Sequence, residues 1–242
     1  MKAGKESLLD LLFPPRCPFC DGVLFCSMLA SREFVCKRCR DKAEYAKEPV
    51  CCLCGQPLED GREEYCYDCS RKKHAYTQGK ALWVYKGAVK DSLYRFKYQN
   101  RQEYAKYYGR ELCRVHGGWI KRCKIQAIAP IPLSKKRMRQ RGFNQAELVA
   151  RHVGRELGIP VYPGLLLRVR DTKAQKELND EERKNNLKRA FKTSINKVQL
   201  DHILLIDDIY TTGSTMDEAA GELRQAGARK IYCLSISIGR GY

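Results

Sequence analysis

Eight of the 13 cysteines stand in four C-x-x-C pairs: Cys17 with Cys20, Cys36 with Cys39, Cys51 with Cys54, and Cys66 with Cys69. Two residues between the cysteines let both sulfurs of a tight turn reach one ion at about 2.3 Å, and two such turns complete a tetrahedron with no position left for water. The chemistry is therefore structural zinc, two Zn²⁺ for eight thiolates. A single C-x-x-C would suit redox chemistry as well, whereas four within about fifty residues specify metal. Sequential pairing gives the sites Cys17/Cys20/Cys36/Cys39 and Cys51/Cys54/Cys66/Cys69. Pairing Cys17 and Cys20 with Cys51 and Cys54, or interleaving the knuckles, satisfies the same spacing. Cys51 is preferred to Cys52 because two residues separate it from Cys54, and Gly55 permits the positive φ that such a knuckle often needs. Cys26 and Cys52 have no assigned role, and Cys113, Cys123 and Cys233 are expected as small buried hydrophobes.

A second constellation lies at Ile203-Leu-Leu-Ile-Asp-Asp-Ile-Tyr-Thr-Thr-Gly-Ser-Thr215. The apolar run reads as a buried strand that ends on Asp207 and Asp208. After Gly213, the residues Met216, Ala219, Ala220, Leu223 and Ala226 recur at helical spacing, and Gly227 stops the helix. Free backbone N–H groups, hydroxyls and the helix dipole converge at its start, where a phosphate can sit. Two adjacent carboxylates at a strand end need cationic or hydroxyl partners, and a ribose diol supplies hydroxyls. Any one of these features alone would be an Asp-Asp turn followed by an ordinary Ser/Thr cap. Together they resemble the phosphoribosyl pyrophosphate (PRPP) motif of type I phosphoribosyltransferases. The match departs only at Tyr210, where an aliphatic residue is common, and the change is expected to leave the loop undisturbed. The resemblance implies that Asp207 and Asp208 are the catalytic pair holding the ribose hydroxyls. It also implies that Thr211, Thr212, Gly213, Ser214 and Thr215 cradle the 5-phosphate.

Ala129-Pro-Ile-Pro-Leu-Ser134 closes another apolar strand and runs into Lys135-Lys-Arg-Met-Arg-Gln-Arg-Gly-Phe-Asn-Gln145. This junction is expected to meet pyrophosphate through Ser134, Lys135, Arg137, Arg141, Gly142 and Asn144. Arginine offers a bidentate fork, lysine a point charge, and Gly142 frees the turn before a helix starting at Asn144. A third segment, long and polar, follows Arg168; it reads as a flexible loop carrying Arg170, Thr172, Lys173 and Gln175.

Positioning these groups requires alternating strands and helices. Apolar runs predict strands near 81–85, 125–131, 165–169, 203–206 and 231–238. Amphipathic stretches predict helices over 90–98, 101–115, 144–157, 180–189 and 214–226. That alternation specifies an α/β domain with a mainly parallel sheet. We expect a small cysteine module over residues 1–75 and the larger domain over 76–242.

The formal net charge is +18, and no acidic residue occurs between Glu111 and Glu147 while nine Lys and Arg do. A charge run is commonly a solvated face, but this one adjoins the expected pyrophosphate segment, so an anionic partner is expected. The N-terminal apolar cluster is interrupted by Asp10 and too short for a signal-peptide core, and no stretch approaches a membrane span. A cytoplasmic protein without membrane insertion is expected, in which thiols stay reduced and bind metal.

Phe-Pro-Pro-Arg-Cys17, the paired cysteines, Phe96-Lys-Tyr98, the 129–145 segment, Arg168-Val-Arg-Asp-Thr-Lys-Ala-Gln175 and the 203–215 motif follow one order over nearly the whole chain. This arrangement resembles the ComF family. The resemblance implies a double zinc ribbon joined to a type I phosphoribosyltransferase domain, Rossmann-like with a mainly parallel five-stranded sheet. It further implies cytosolic handling of incoming single-stranded DNA in naturally competent bacteria, with a competence helicase or other DNA-processing proteins as partners. Two readings follow. In one, PRPP and Mg²⁺ bind the two loops and a nucleophile displaces pyrophosphate, with Mg²⁺ held mostly by PRPP oxygens and water. In the other, the pocket takes a phosphoribosyl group of DNA or a regulatory nucleotide. Tyr94, Phe96, Tyr98, Tyr104, Tyr107 and Tyr108 are then candidates for stacking bases, set against the commoner role of such aromatics as core.

Overall fold

The computed structural model describes residues 14–24, 34–169, 190–194 and 198–239. Four strands, β1 (Gln78–Val84), β2 (Ala127–Pro130), β5 (His202–Tyr210) and β6 (Lys230–Ile238), form one sheet in the order β1-β6-β5-β2. All its pairings are parallel. Two short strands, β3 (Leu166–Arg168) and β4 (Phe191–Thr193), make a separate antiparallel ribbon. Among the described residues the α-helices are α1 (Tyr67–Arg71), α2 (Gly87–Tyr98), α3 (Tyr104–Arg122), α4 (Lys135–Arg141), α5 (Gln145–Leu157) and α6 (Ser214–Gln225).

The α/β class and the parallel sheet agree with the sequence. The expected fifth strand differs: residues 166–168 leave the main sheet and pair with 191–193 instead. Among the described residues the sheet continues beyond β2 only as a one-residue parallel bridge between Ile128 and Val161. A short apolar run marks a buried strand but carries no information about its partner, so the pattern at 165–169 fits a ribbon as well as a sheet. The helix expected at 180–189 and the loop residues Arg170, Thr172, Lys173 and Gln175 lie outside the described residues, as does Cys26.

The central strands are apolar on both faces because helices cover both. Leu204 and Ile206 of β5 point into one cluster with Phe96 of α2, Leu112 of α3 and Val149 and Val153 of α5. Ile203 and Leu205 point into the other, against Met216, Ala219, Ala220 and Leu223 of α6. Each such fully buried aliphatic side chain contributes about 1.5–3 kcal/mol relative to exposure.

The β1 edge is covered by the cysteine-rich segment. Ala46 N–H donates to Leu82 O (3.0 Å), Val84 N–H to Glu44 O (2.8 Å) and Gly79 N–H to Leu53 O (2.6 Å). An edge that would otherwise expose unpaired peptide groups is thereby closed. The two cysteine clusters divide between the sheet faces: Cys17 and Cys39 join the α2/α3/α5 side, and Cys51, Cys54 and Cys69 join the α6 side. Among the described residues no helix is long and apolar enough to cross a membrane.

Candidate functional site

The parallel register brings the two predicted binding segments together. Pro130 pairs with Ile206, and Ile131 N–H donates to Ile206 O (2.9 Å), so the chain leaves β2 and β5 at neighbouring carboxyl ends. The helices that follow go to opposite faces, α5 to one and α6 to the other. A crevice opens where successive connections part in this way, and it is where open α/β sheets bind ligands.

Asp207 and Asp208 sit at this edge, both partly buried. Asp208 N–H donates to Asp207 Oδ1 (2.8 Å), and Lys97 from the last turn of α2 donates to Asp208 Oδ1 (2.9 Å). Both side chains of the Lys97–Asp208 pair are only 13% exposed. Burial, reinforced by the neighbouring Asp208 charge, pushes the Asp207 carboxyl up to about 7, while the Asp208 N–H, Lys97 and Arg168 partly counter it. One carboxylate is thus tied to a cation and the other is left strained toward neutrality, which a diol or a cation at the same place would relieve. Sequence reasoning missed Lys97 as a member of this site. Its contact with Asp208 spans 111 residues, and only its place in the Phe96-Lys-Tyr98 segment marked it.

The segment after β5 is a turn that leads into a helix start. Gly213 is left-handed (φ 74°) and caps α6, while Thr211 and Thr212 are exposed and Ser214 and Thr215 half-buried. Thr212 and Ser214 hydroxyls lie 2.9 Å apart. Tyr210 does more than the sequence suggested: its ring folds under Gly213 and its hydroxyl meets that of Tyr76 at 2.7 Å.

The basic segment is a helix, α4, that buries none of its residues. Its ends explain several of the predicted pyrophosphate residues locally. The Ser134 hydroxyl caps α4 by accepting from Arg137 N–H (3.3 Å), and Gly142 ends it in the left-handed region (φ 78°). Buried Asn144 accepts from Ala146 N–H (3.1 Å) and donates to Ile131 O (3.0 Å), fixing the turn to the end of β2. Arg141 bonds Gln145 Oε1 (3.0 Å) and the Tyr98 hydroxyl (3.3 Å), with its guanidinium 5.1 Å from the Tyr98 ring centre. Lys135, Lys136, Arg137 and Arg139 project into solvent, where they are available to an anion.

Of the six aromatic candidates, Phe96, Tyr104 and Tyr108 are core and Tyr107 is half-buried. Tyr94 and Tyr98 are 57% and 51% exposed and pack on each other at 5.1 Å, one helical turn apart on the helix that delivers Lys97.

The cysteines form two clusters by sequential pairing, Cys17/Cys20/Cys36/Cys39 and Cys51/Cys54/Cys66/Cys69, with all sulfurs of each within 4.8 Å of one another. Cys20 and Cys36 sulfurs lie 3.7 Å apart, as do those of Cys54 and Cys66. A tetrahedral Zn–S distance of about 2.3 Å requires sulfur separations of about 3.8 Å, so both sets fit zinc. Gly55 has the anticipated positive φ of 79° and lies against Gly79 and Lys80 of β1. Cys52 is exposed and outside the clusters, Cys113 and Cys233 are buried, and Cys123 is half-buried.

The double zinc ribbon domain model matches residues 8–70. The chain is 31% identical over 206 residues to the competence protein ComFC of Bacillus subtilis (strain 168), covering 83% of this chain and 82% of that one. It belongs to the ComF family. Two other relatives resemble it over most of their length: competence protein F of Haemophilus influenzae (29% identity over 225 residues; 89% of this chain, 93% of that one) and the DNA utilization protein YhgH of Escherichia coli K12 (29% over 205 residues; 83% and 89%). In this ComF-family chain the second cysteine cluster is joined to the segment around the β5 loop, because Lys72, His74, Ala75 and Tyr76, which follow its last knuckle, bond Asp217 and Tyr210 on either side of that loop. Zinc, when bound, supplies a crosslink among four thiolates.

Proposed function

We propose that this protein binds PRPP or another phosphoribosyl group together with Mg²⁺ and acts in the cytoplasm on single-stranded DNA during natural transformation. The observation that carries the reading is the convergence at one sheet edge of the Asp207–Asp208 pair, the Thr211–Thr215 loop and the acid-free helix α4. The loop N–H groups and hydroxyls take the 5-phosphate, the carboxylates take the ribose diol, and Lys135, Arg137 and Arg141 neutralise the diphosphate or a neighbouring phosphodiester. Mg²⁺ is held chiefly by ligand oxygens and water, in keeping with its preference for retained hydration. The names of the relatives, two competence proteins and a DNA utilization protein, support the DNA role.

The exposed Tyr94–Tyr98 pair favours a nucleic acid over a free nucleotide alone, since it offers a stacking surface beside basic residues rather than an enclosed base pocket. The test is a pair of titrations. Mg²⁺-dependent PRPP binding by calorimetry and single-stranded DNA binding by anisotropy should both occur, and PRPP should compete with DNA. Pyrophosphate release with PRPP and a panel of bases would instead assign an orthodox phosphoribosyltransferase of nucleotide salvage or synthesis.

A further inference from the structure

The segment between the second zinc knuckle and β1 grips the phosphate loop at both of its ends. The His74 side chain is fully buried. Its Nε2 lies 3.5 Å from the Sγ of Cys69, and its Nδ1 lies 2.7 Å from Oδ2 of Asp217. Ala75 N–H donates to the other oxygen of that carboxylate at 2.9 Å, and Lys72 pairs with it from the solvent side. Asp217 belongs to the first turn of α6, and its own N–H donates to Gly213 O (2.8 Å). Burial alone would favour the neutral acid, yet the bonds from His74, Lys72 and Ala75 hold the carboxyl below its usual range. One residue further on, Tyr76 bonds Tyr210 at the end of β5, with the His74 ring stacked on it at 4.8 Å. The loop 211–213 is therefore suspended between two attachments, one on the helix after it and one on the strand before it. Both attachments originate within seven residues of a zinc ligand.

We propose that the Cys51/Cys54/Cys66/Cys69 site sets the geometry of the phosphate loop through His74, a positioning residue, so that zinc at this site and a phosphate ligand at the loop bind with positive coupling. Outer-shell partners that fix a metal ligand are typically worth a factor of about 10–100 in affinity. Here the other nitrogen of the same ring also fixes, through Asp217, the turn that must present N–H groups to a phosphate. Coupling of two binding sites is reciprocal: if zinc favours the ligand, the ligand retains the zinc. The first site provides an internal control, because among the described residues its polar contacts run to α2, α3 and the turn between them and not to the segment that bonds Asp217 and Tyr210. Asp21 bonds Arg101 (2.7 Å) and Tyr104 there, and Arg95 donates to Phe19 O (2.8 Å), all toward α2 and α3.

The inference rests on the phosphoribosyl reading, and one experiment separates the two. The full chain carrying two zinc ions is mixed with a chromogenic chelator, with and without saturating Mg²⁺-PRPP, while PRPP affinity is measured by calorimetry. In the parent protein PRPP should slow release of one zinc ion about tenfold and leave the other unchanged. In His74→Phe the zinc content should stay at two, the protection should fall below about twofold, and the PRPP Kd should rise about tenfold. Asp217→Asn acts at the far end of the relay without touching a knuckle, and it should lose protection in the same way. If PRPP binds the parent protein but changes neither release rate, or if both variants keep full protection and affinity, the coupling is refuted while the phosphoribosyl reading stands. If the parent protein binds no PRPP with Mg²⁺ present, both readings fall.

Discussion

The ring of Tyr210 lies directly beneath Gly213, so close that a β-carbon on residue 213 would collide with the tyrosine hydroxyl and stand 2.9 Å from its Cζ. The backbone at 213 is also left-handed. Gly213→Ala therefore meets two penalties, a conformational one of about 1 kcal/mol and a steric one that must displace Tyr210 from Tyr76. We expect a loss of about 2–3 kcal/mol in denaturant unfolding and loss of phosphate affinity. An unchanged midpoint would show that Tyr210 moves freely and does not support the loop.

The Asp207→Asn/Asp208→Asn double variant keeps the loop backbone but loses both charges. Hydrogen bonds to charged groups are worth about 1.5–3 kcal/mol, so Mg²⁺-PRPP affinity should fall at least tenfold and by up to several hundredfold. Calorimetry at saturating Mg²⁺ measures it. Parent-like binding would return the pair to a structural turn.

Stability should depend on the ionisation of Asp207. Its carboxyl is raised to about 7, so the folded state holds a proton that the unfolded chain releases near pH 4. The stabilising contribution is therefore full below about pH 4 and is lost as pH rises through 7. Asp207→Asn stays neutral throughout, so without ligand or Mg²⁺ it should exceed the parent protein by up to about 4 kcal/mol at pH 8, with little difference at pH 4. Thermal melts at the two pH values check this, and a pH-independent difference would contradict it.

Tyr94→Ala and Tyr98→Ala should each weaken single-stranded DNA binding by about 1–3 kcal/mol without changing its salt dependence, because stacking is not a counterion effect. Neutralising Lys135, Lys136, Arg137 and Arg139 should do the opposite and flatten the slope of log affinity against log salt by about 0.7 per lost phosphate contact. Anisotropy titrations at several salt concentrations separate the two. A tyrosine variant that alters the slope, or basic variants that leave it alone, would reassign the surface.

Protein purified under reducing conditions should carry two zinc ions per chain by elemental analysis. Because the first cluster packs with the α2/α3 core and the second lies against β1 and is tied through His74 to Asp217 of α6, removal of both ions should lower the melting temperature of the whole chain. A metal content near zero in folded protein would refute the zinc assignment.

The groups that act within a few residues of one another were legible in the sequence alone. C-x-x-C spacing fixes two sulfurs on one turn, and the apolar run, acid pair and glycine-centred loop of 203–215 fix a strand end, a turn and a helix start. Local geometry is set by local backbone preferences. The parallel α/β class followed from alternation of such elements. Only the tertiary structure decided which knuckles share an ion, that 166–168 leaves the main sheet for a ribbon, and which of six aromatics face solvent. It alone brought Lys97 to Asp208, Tyr76 to Tyr210 and His74 to Asp217, across 111, 134 and 143 residues. Such pairs leave no periodicity in the chain, because what joins them is the register of β1, β6, β5 and β2, a property of the packed sheet rather than of any segment within it.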